Sequence, residues 1–280
     1  MAEAPRKWLI TGVSSGLGRA IAEKALARGD IVAGTLRKPE QFEDFAALAR
    51  GRAIPIALDV TDDAGVGPAV ATAIAAAGGL DILVNNAGYA LMGPIEDIGL
   101  PEARREIETN FFGVLKLSQA VLPHFRAQNA GRIINIGSVA SVVGFPMNGI
   151  YSASKFAVAG FSEALAKECA AFGVKVTCVE PGGFRTQFGV GSLALPSKVS
   201  PKNTPAVEVT KVRMAAFAQT AVNDPAKGAA VILALTELDE PPVHFALGAD
   251  GYAMITGALQ ARLAEYERFR AFGGETTCGS

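Results

Sequence analysis

Cysteine is scarce in this chain: Cys169, Cys178 and Cys278 are the only three in 280 residues. So few and so unevenly spaced, they build no disulfide framework and point to a reducing compartment. Histidine is scarcer still. His124 and His244 stand alone, neither with cysteine or acid neighbours along the chain at ligand spacing, so no metal site is expected. Excess charge is also missing. Lys and Arg total 26 against 27 Asp and Glu, a balance that argues against tracking nucleic-acid phosphates or anionic lipid. The alanine-rich stretch 67–79 falls short of a bilayer span. The opening residues, MAEAPRKWLITG, hold an apolar run too short for a signal-peptide core, and neither end carries a lipidation signal. These absences predict a soluble, cytoplasmic protein.

What is present is core material. Half of the chain is hydrophobic and 19% is charged, which excludes disorder and suffices for a sizeable interior. Short β-branched runs alternate with Gly or Asn turns and alanine-rich helical stretches. Strands are expected at 8–11, 31–36, 53–58, 82–85, 132–136, 174–180 and 243–246, and helices include 17–28, 101–128, 151–172 and 226–238. Most of these runs are nearly continuous in apolar residues, as strands covered on both faces must be. The pattern predicts an α/β fold: a doubly wound parallel sheet of about seven strands in a three-layer α/β/α sandwich, with residues 1–280 as one domain. Two segments depart from it. Residues 183–205 mix Gly, Pro and Ser with Phe184, Phe188, Leu193 and Leu195 and read as a lid. Beyond about 251 comes a helical extension whose stretch 258–272 lines up Leu259, Leu263, Tyr266 and Phe269. That helix is expected to dock on the same core.

The first strand runs into Thr11-Gly12-Val13-Ser14-Ser15-Gly16-Leu17-Gly18 and then a helix. Glycines at 12, 16 and 18 supply a tight turn, a close backbone approach to a pyrophosphate, and helix–strand packing, while the first helical N–H groups face the anion. The end of the second strand selects the cofactor. A carboxylate there would bind the adenosine ribose and favour NAD, but the chain has Thr35-Leu36-Arg37-Lys38. Arg37, helped by Ser14, suits a 2′-phosphate, so NADP(H) is expected over NAD(H).

Tyr151 and Lys155 share one face of a helix start. An ammonium near a phenol lowers the phenol's pKa toward a usable range. Ser138 follows the strand 132–136, on the edge where doubly wound sheets bind ligands. A serine hydrolase would want a G-x-S-x-G elbow, and the segment Gly137-Ser138-Val139-Ala140 lacks its second glycine.

Together, Thr11–Gly18, Asn85-Asn86-Ala87-Gly88, Asn110, Ser138, Tyr151 with Lys155, and Pro181-Gly182 with Thr186 occur in order and spacing that resemble the short-chain dehydrogenases/reductases, over roughly residues 6–250. The resemblance implies a Rossmann fold and an NAD(P)-dependent oxidoreductase acting on CH–OH groups. Tyr151 would be the proton donor and acceptor, and Ser138 would hold the substrate oxygen. Lys155 would bind the nicotinamide ribose and tune the tyrosine, and Asn110 would anchor a relay water. Gly12, Ser14, Ser15, Gly16, Leu17 and Gly18 would cradle the cofactor, with Arg37 at the ribose, Asp59 and Val60 at the adenine, Asn86, Ala87, Gly88, Pro181 and Gly182 along its length, and Thr186 at the carboxamide. Met92, Phe145, Met147, Phe184 and Phe188, with Tyr89, Val139, Val142, Asn148 and Leu193, are expected to face the substrate. Nearly all are apolar, which predicts a lipophilic or aromatic carbonyl or alcohol, with a few residues nearer the hydroxysteroid and retinol dehydrogenase branch. A 3-oxoacyl-type reductase and a non-catalytic NADP(H)-binding sensor stay open as alternatives. The helices 101–128 and 151–172 match those of the family's usual dimer, so a homodimer, with a tetramer as the alternative, is expected.

Overall fold

The computed structural model describes residues 4–186 and 191–274. In chain order these form β1 (Lys7–Ile10), α1 (Gly16–Arg28), β2 (Ile31–Leu36), α2 (Phe42–Ala47), β3 (Ala53–Ala57), α3 (Val66–Ala77), β4 (Ile82–Asn85), β5 (Ala90–Leu91) and α4 (Leu100–Ile107). A π-helical turn (Glu108–Phe112) leads into α5 (Gly113–Gln128), followed by β6 (Gly131–Ile136), α6 (Gly149–Cys169), β7 (Val174–Pro181) and β8 (Leu193–Ala194). The chain closes with α7 (Thr204–Thr220), α8 (Pro225–Leu235), β9 (His244–Leu247) and α9 (Ala249–Gly273). Seven strands form one sheet in the order β3-β2-β1-β4-β6-β7-β9, and every pairing is parallel.

The alternation of side chains along each strand divides the core in two. Trp8, Ile10, Val32, Val84 and Ile136 pack with Ile21, Ala22 and Ala25 of α1 and Ile232 of α8 on one face. Leu9, Ala33, Leu83, Ile133 and Val176 pack with Val70 and Ala73 of α3, Leu117 and Phe125 of α5 and Leu165 of α6 on the other. Each Val, Leu, Ile or Phe among them, fully buried, contributes about 1.5–3 kcal/mol. Two polar exceptions on the strands are linked in a chain: Asn85 Nδ2 donates to Asn135 Oδ1 at 2.8 Å, and Asn135 Nδ2 to Ser162 Oγ at 2.9 Å, while Asn85 Oδ1 is buried without a partner among the described residues. Among the described residues no helix is long and apolar enough to cross a membrane.

Three expectations need correction. The long helix foreseen at 101–128 is two helices joined by the π-helical turn, whose extra residue re-aims Asn110 inward. The lid is not a plain loop. Leu193 and Ala194 form β8, pairing in parallel with Ala90 and Leu91 of β5, and α7 begins at its far end. The tail helix docks at its start, where Gly251 and Ile255 are buried, and is tied once more by Arg262, which donates to the Val142 carbonyl. Leu259, Leu263, Tyr266 and Phe269 are 47%, 60%, 67% and 52% exposed, because α9 outruns the core it starts on.

Candidate active site

The turn between β1 and α1 is pinned from both neighbouring strands. Thr11 Oγ1 accepts from the N–H groups of Asn86 and Ala87 at 2.9 and 3.0 Å, and Thr35 Oγ1 accepts from Gly12 N–H at 3.2 Å. Asn86 Nδ2 donates to the carbonyls of Thr11 and Gly12 at 2.9 and 3.1 Å. Gly12 and Gly16 hold φ of +71° and +64°, the left-handed region that side chains rarely adopt. At Gly18 the demand is space, since a Cβ would strike the Asn86 amide and the Gly12 carbonyl. Ser15 caps α1 without a side-chain hydrogen bond, and the first turn carries no acid. The helical N–H groups therefore remain open to an anion, and the residues present fit a dinucleotide pyrophosphate.

This cradle opens into a cleft of about 710 Å³ along the carboxyl ends of the strands. Ser14, Ser15, Leu17, Arg37, Asp59, Val60, Asn86, Ala87, Gly88, Pro181, Gly182 and Thr186 line it beside Gly12 and Gly16. Asp59 accepts from the Thr61 N–H and hydroxyl at 2.9 and 2.8 Å, an Asx turn that fixes its loop. Arg37 makes no ion pair among the described residues and is exposed at the rim.

Ser138, Tyr151 and Lys155 meet on the same cleft. Ser138 caps a single 3₁₀ turn, its Oγ accepting from Ala140 N–H at 3.1 Å, and its hydroxyl shares a hydrogen bond with Tyr151. Lys155 Nζ lies 5.8 Å from the Tyr151 ring centroid and donates to the Ile136 carbonyl at 2.7 Å. Asn110 sits behind them, 1% exposed and off the cleft surface. Its Oδ1 accepts from Tyr89 N–H at 3.0 Å, and its Nδ2 donates to the Tyr89 carbonyl at 2.8 Å and to Ser154 Oγ at 3.0 Å. The expected lowering of the phenol pKa does not hold here. Burial pushes Tyr151 up to about 12, the Glu106 charge adds to the rise, and only the Ser138 hydroxyl opposes it. Lys155, buried as well, is held down to about 8.

A parallel doubly wound sheet, a glycine-turned helix start and a half-buried Ser138 beside buried Tyr151 and Lys155 in one cleft narrow the field. The family model described as short chain dehydrogenase matches residues 6–193. This chain is a short-chain dehydrogenase. It is 40% identical over 196 residues to "Retinol dehydrogenase 8" of Homo sapiens, covering 67% of this chain and 62% of that one. A crystal structure of a short-chain dehydrogenase from Streptomyces avermitilis superposes with a TM-score of 0.90 at 39% identity, over 99% of this chain and 100% of its own. The structure of "ElxO with NADP Bound" does so at 0.73 and 25% identity, over 92% and 100%. The chain is thus an NAD(P)-dependent oxidoreductase acting on CH–OH groups, with a nicotinamide cofactor.

Within this dehydrogenase some sequence-based placements move. Met92, Phe145, Phe184, Tyr89, Val139, Asn148 and Leu193 do line the cleft. Met147 does not: it takes a φ of +67° and turns its carbonyl to accept from Gly93 N–H at 2.8 Å. Val142 is also absent from the cleft wall, its carbonyl accepting from Arg262 Nη2 at 2.7 Å. Phe188 lies outside the described residues. Met214 and Phe217 of α7 and Met254 and Asp250 of α9 are wall residues that sequence reasoning missed. Nothing along the chain ties those helices to the catalytic motifs. Glu106 was missed too, although it precedes Asn110 by one helical turn, on the same face.

His244 departs from expectation most plainly. Strand pairing places it opposite Cys178, and the ligand atoms of Cys178, Glu180 and His244 lie within 4.8 Å of one another. Its Nδ1 is 3.0 Å from the Glu180 carboxylate and its Nε2 is 2.9 Å from that of Glu163. The bond to buried Glu180 raises the imidazole's pKa above its usual value. The histidine without acid neighbours in sequence has two in space, and they occupy both ring nitrogens.

Proposed function

We propose that this dehydrogenase uses NADP(H) to interconvert a carbonyl and an alcohol on a lipophilic or aromatic substrate, residues 1–280 acting as one catalytic unit in a homodimer in the cytoplasm. When bound, the nicotinamide supplies or takes up the hydride. The chain's own side chains handle the oxygen and its proton. In reduction, the Ser138 hydroxyl holds the substrate oxygen by donation, and the Tyr151 O–H gives its proton to the alkoxide that forms. That leaves a tyrosinate, whose charge the Lys155 ammonium offsets from the same helix face. Asn110, fixed by Tyr89 and Ser154, would anchor the water that reprotonates the site. In oxidation each proton moves back along the same path.

The observation that carries the reading is the convergence of Ser138, Tyr151 and Lys155 on a cleft that also holds the open N-terminus of α1. Arg37, with no acid at the end of β2, supports the 2′-phosphate. The far wall, built from Met92, Phe145, Phe184, Met214, Phe217 and Met254, supports an apolar substrate. Arg185, the lid's single arginine, is committed: its Nε donates to the Ala221 carbonyl at 2.6 Å. The name of the human relative, retinol dehydrogenase 8, agrees with a lipophilic substrate. The test follows NADPH consumption, with NADH in parallel, against aromatic, steroidal, retinoid and 3-oxoacyl carbonyls, with Tyr151→Phe as the blank. NADPH-dependent turnover on an apolar carbonyl that disappears in the variant is expected. Turnover confined to phosphorylated or carboxylate substrates, or surviving in Tyr151→Phe, would sink the proposal, and tight NADPH binding without turnover would make the protein a sensor.

A further inference from the structure

Glu106 is 0% exposed, yet it is an acid on a helix whose other face meets solvent. Its Oε1 accepts from Leu91 N–H at 2.9 Å, while its Oε2 is buried and has no hydrogen-bond partner among the described residues. An ionised carboxylate in that state bears an uncompensated desolvation cost unless a cation acts on it. The helix α4 packs on α6, on β5 and on the π-helical turn. Through space the acid feels the charge of Lys155 on α6, and its own charge acts on Tyr151 of α6 and Tyr89 of the loop after β4. β5 offers only its backbone, and Glu108 of the π turn is already paired with Lys116 at 2.7 Å.

We propose that Glu106 is a positioning residue of the reaction: one carboxyl oxygen fixes the strand on which the lid is hung, and the other is the counter-charge of Lys155. The first half follows from connectivity. Leu91 belongs to β5, which pairs with Leu193 and Ala194 of the lid, so the Glu106 bond sets one wall of the cleft. The second half follows from burial. Lys155 gives a hydrogen bond to the neutral Ile136 carbonyl and has no salt bridge among the described residues; the groups that favour its ammonium are the Cys178 thiol and one carboxylate, Glu106. Burial dominates both groups, raising Glu106 to about 7 and lowering Lys155 to about 8, and their mutual attraction opposes each shift, favouring the carboxylate and the ammonium.

The inference rests on the Tyr151–Lys155 reading above, and its test separates the two. In Glu106→Gln the amide oxygen still accepts from Leu91 N–H, but the counter-charge is gone. The KM for the carbonyl substrate is expected to stay within about twofold, while the alkaline limb of kcat in reduction moves about one pH unit lower. In Glu106→Leu, which also orphans Leu91 N–H, KM is expected to rise about tenfold in addition. A Glu106→Gln profile that superimposes on that of the parent would overturn the proposal. A readout free of turnover covers variants that do not fold. In the parent enzyme carrying ¹³C-labelled glutamate, the infrared band of a protonated buried carboxyl is followed from about pH 5 to about pH 9. Coupling requires its midpoint to rise in Lys155→Met, and an unchanged midpoint would refute it even if Tyr151→Phe had already shown that the chemistry lies elsewhere.

Discussion

At the scale of single residues, the sign of the Tyr151 shift decides which direction of the reaction is ready at neutral pH. With its pKa pushed up to about 12, the phenol stays protonated and is poised to donate. Reduction is therefore expected to be level through neutral pH and to fall above about 8, where Lys155 loses the charge that offsets the tyrosinate. Oxidation needs the tyrosinate, so its rate is expected to climb with pH through the same neutral range. Steady-state pH profiles in both directions check this, and an oxidative rate that falls from neutral upward contradicts it. Replacing Tyr151 by Phe removes the proton without changing the ring, and kcat is expected to fall about 10³-fold with NADPH affinity kept. Arg37 is argued from the opposite kind of environment. It is exposed and without an ion pair among the described residues, so Arg37→Asp leaves the fold alone. A charged bond to a 2′-phosphate is worth about 1.5–3 kcal/mol, so the ratio of kcat/KM with NADPH to that with NADH is expected to drop about 100-fold. An unchanged ratio would remove Arg37 from the cofactor reading.

Elements explain why some of this was legible in the sequence. Parallel strands buried on both faces read as unbroken apolar runs, so Ile31–Leu36 and Ile82–Asn85 were recoverable to the residue. The Tyr151–Lys155 face follows from helix geometry alone, and the glycine turn from its place after β1. The π-helical turn carries no comparable mark: 101–128 scans as one helix, and what breaks it is the pull of Asn110 toward the Tyr89 backbone and Ser154. Nor does β8, two residues long, whose partner β5 is remote in sequence. His244 and Met147 escaped for the same reason, since strand register and a left-handed turn are set by partners that sequence spacing does not name. The glycine turn also gives a prediction at this scale. In Gly18→Ala the added methyl meets the Asn86 amide and the Gly12 carbonyl, neither of which can withdraw without breaking the bonds that hold the cradle. A loss of about 1–3 kcal/mol is expected, with weaker dinucleotide binding. Gly160→Ala on α6, where a Cβ meets nothing within 4 Å, is the control and is expected to stabilise by about 0.5–1 kcal/mol. Thermal melts with and without NADPH distinguish the two.

For the whole molecule, the question is which apolar surface the proposed homodimer covers. Besides exposed apolar side chains such as Ile95 and Leu100 near α4 and Val209 and Val212 on α7, two aromatic sets are candidates. One comprises Phe112 at the start of α5 and Phe156 on α6, 41% and 37% exposed. The other is the distal run of α9, with Tyr266, Phe269 and Phe272 at 67%, 52% and 87%. The first set is carried by helices that the sheet itself holds rigid, through Val114, Leu117, Val158 and Leu165 in the core, so a partner there meets a preformed face. The second set extends from a helix anchored only at Gly251, Ile255 and the Arg262 bond to the Val142 carbonyl, and ordering it against a partner costs conformational entropy. The proposed dimer is accordingly expected to form through α5 and α6. Phe156→Glu puts a charge at its centre and is expected to give a monomer in sedimentation velocity. Ending the chain after Leu263 removes only exposed side chains among the described residues, so the dimer should persist and the melting temperature should stay within about 2 °C. A dimer that survives Phe156→Glu but dissociates on truncation would transfer the interface to α9, and that helix would then be a dimerisation arm.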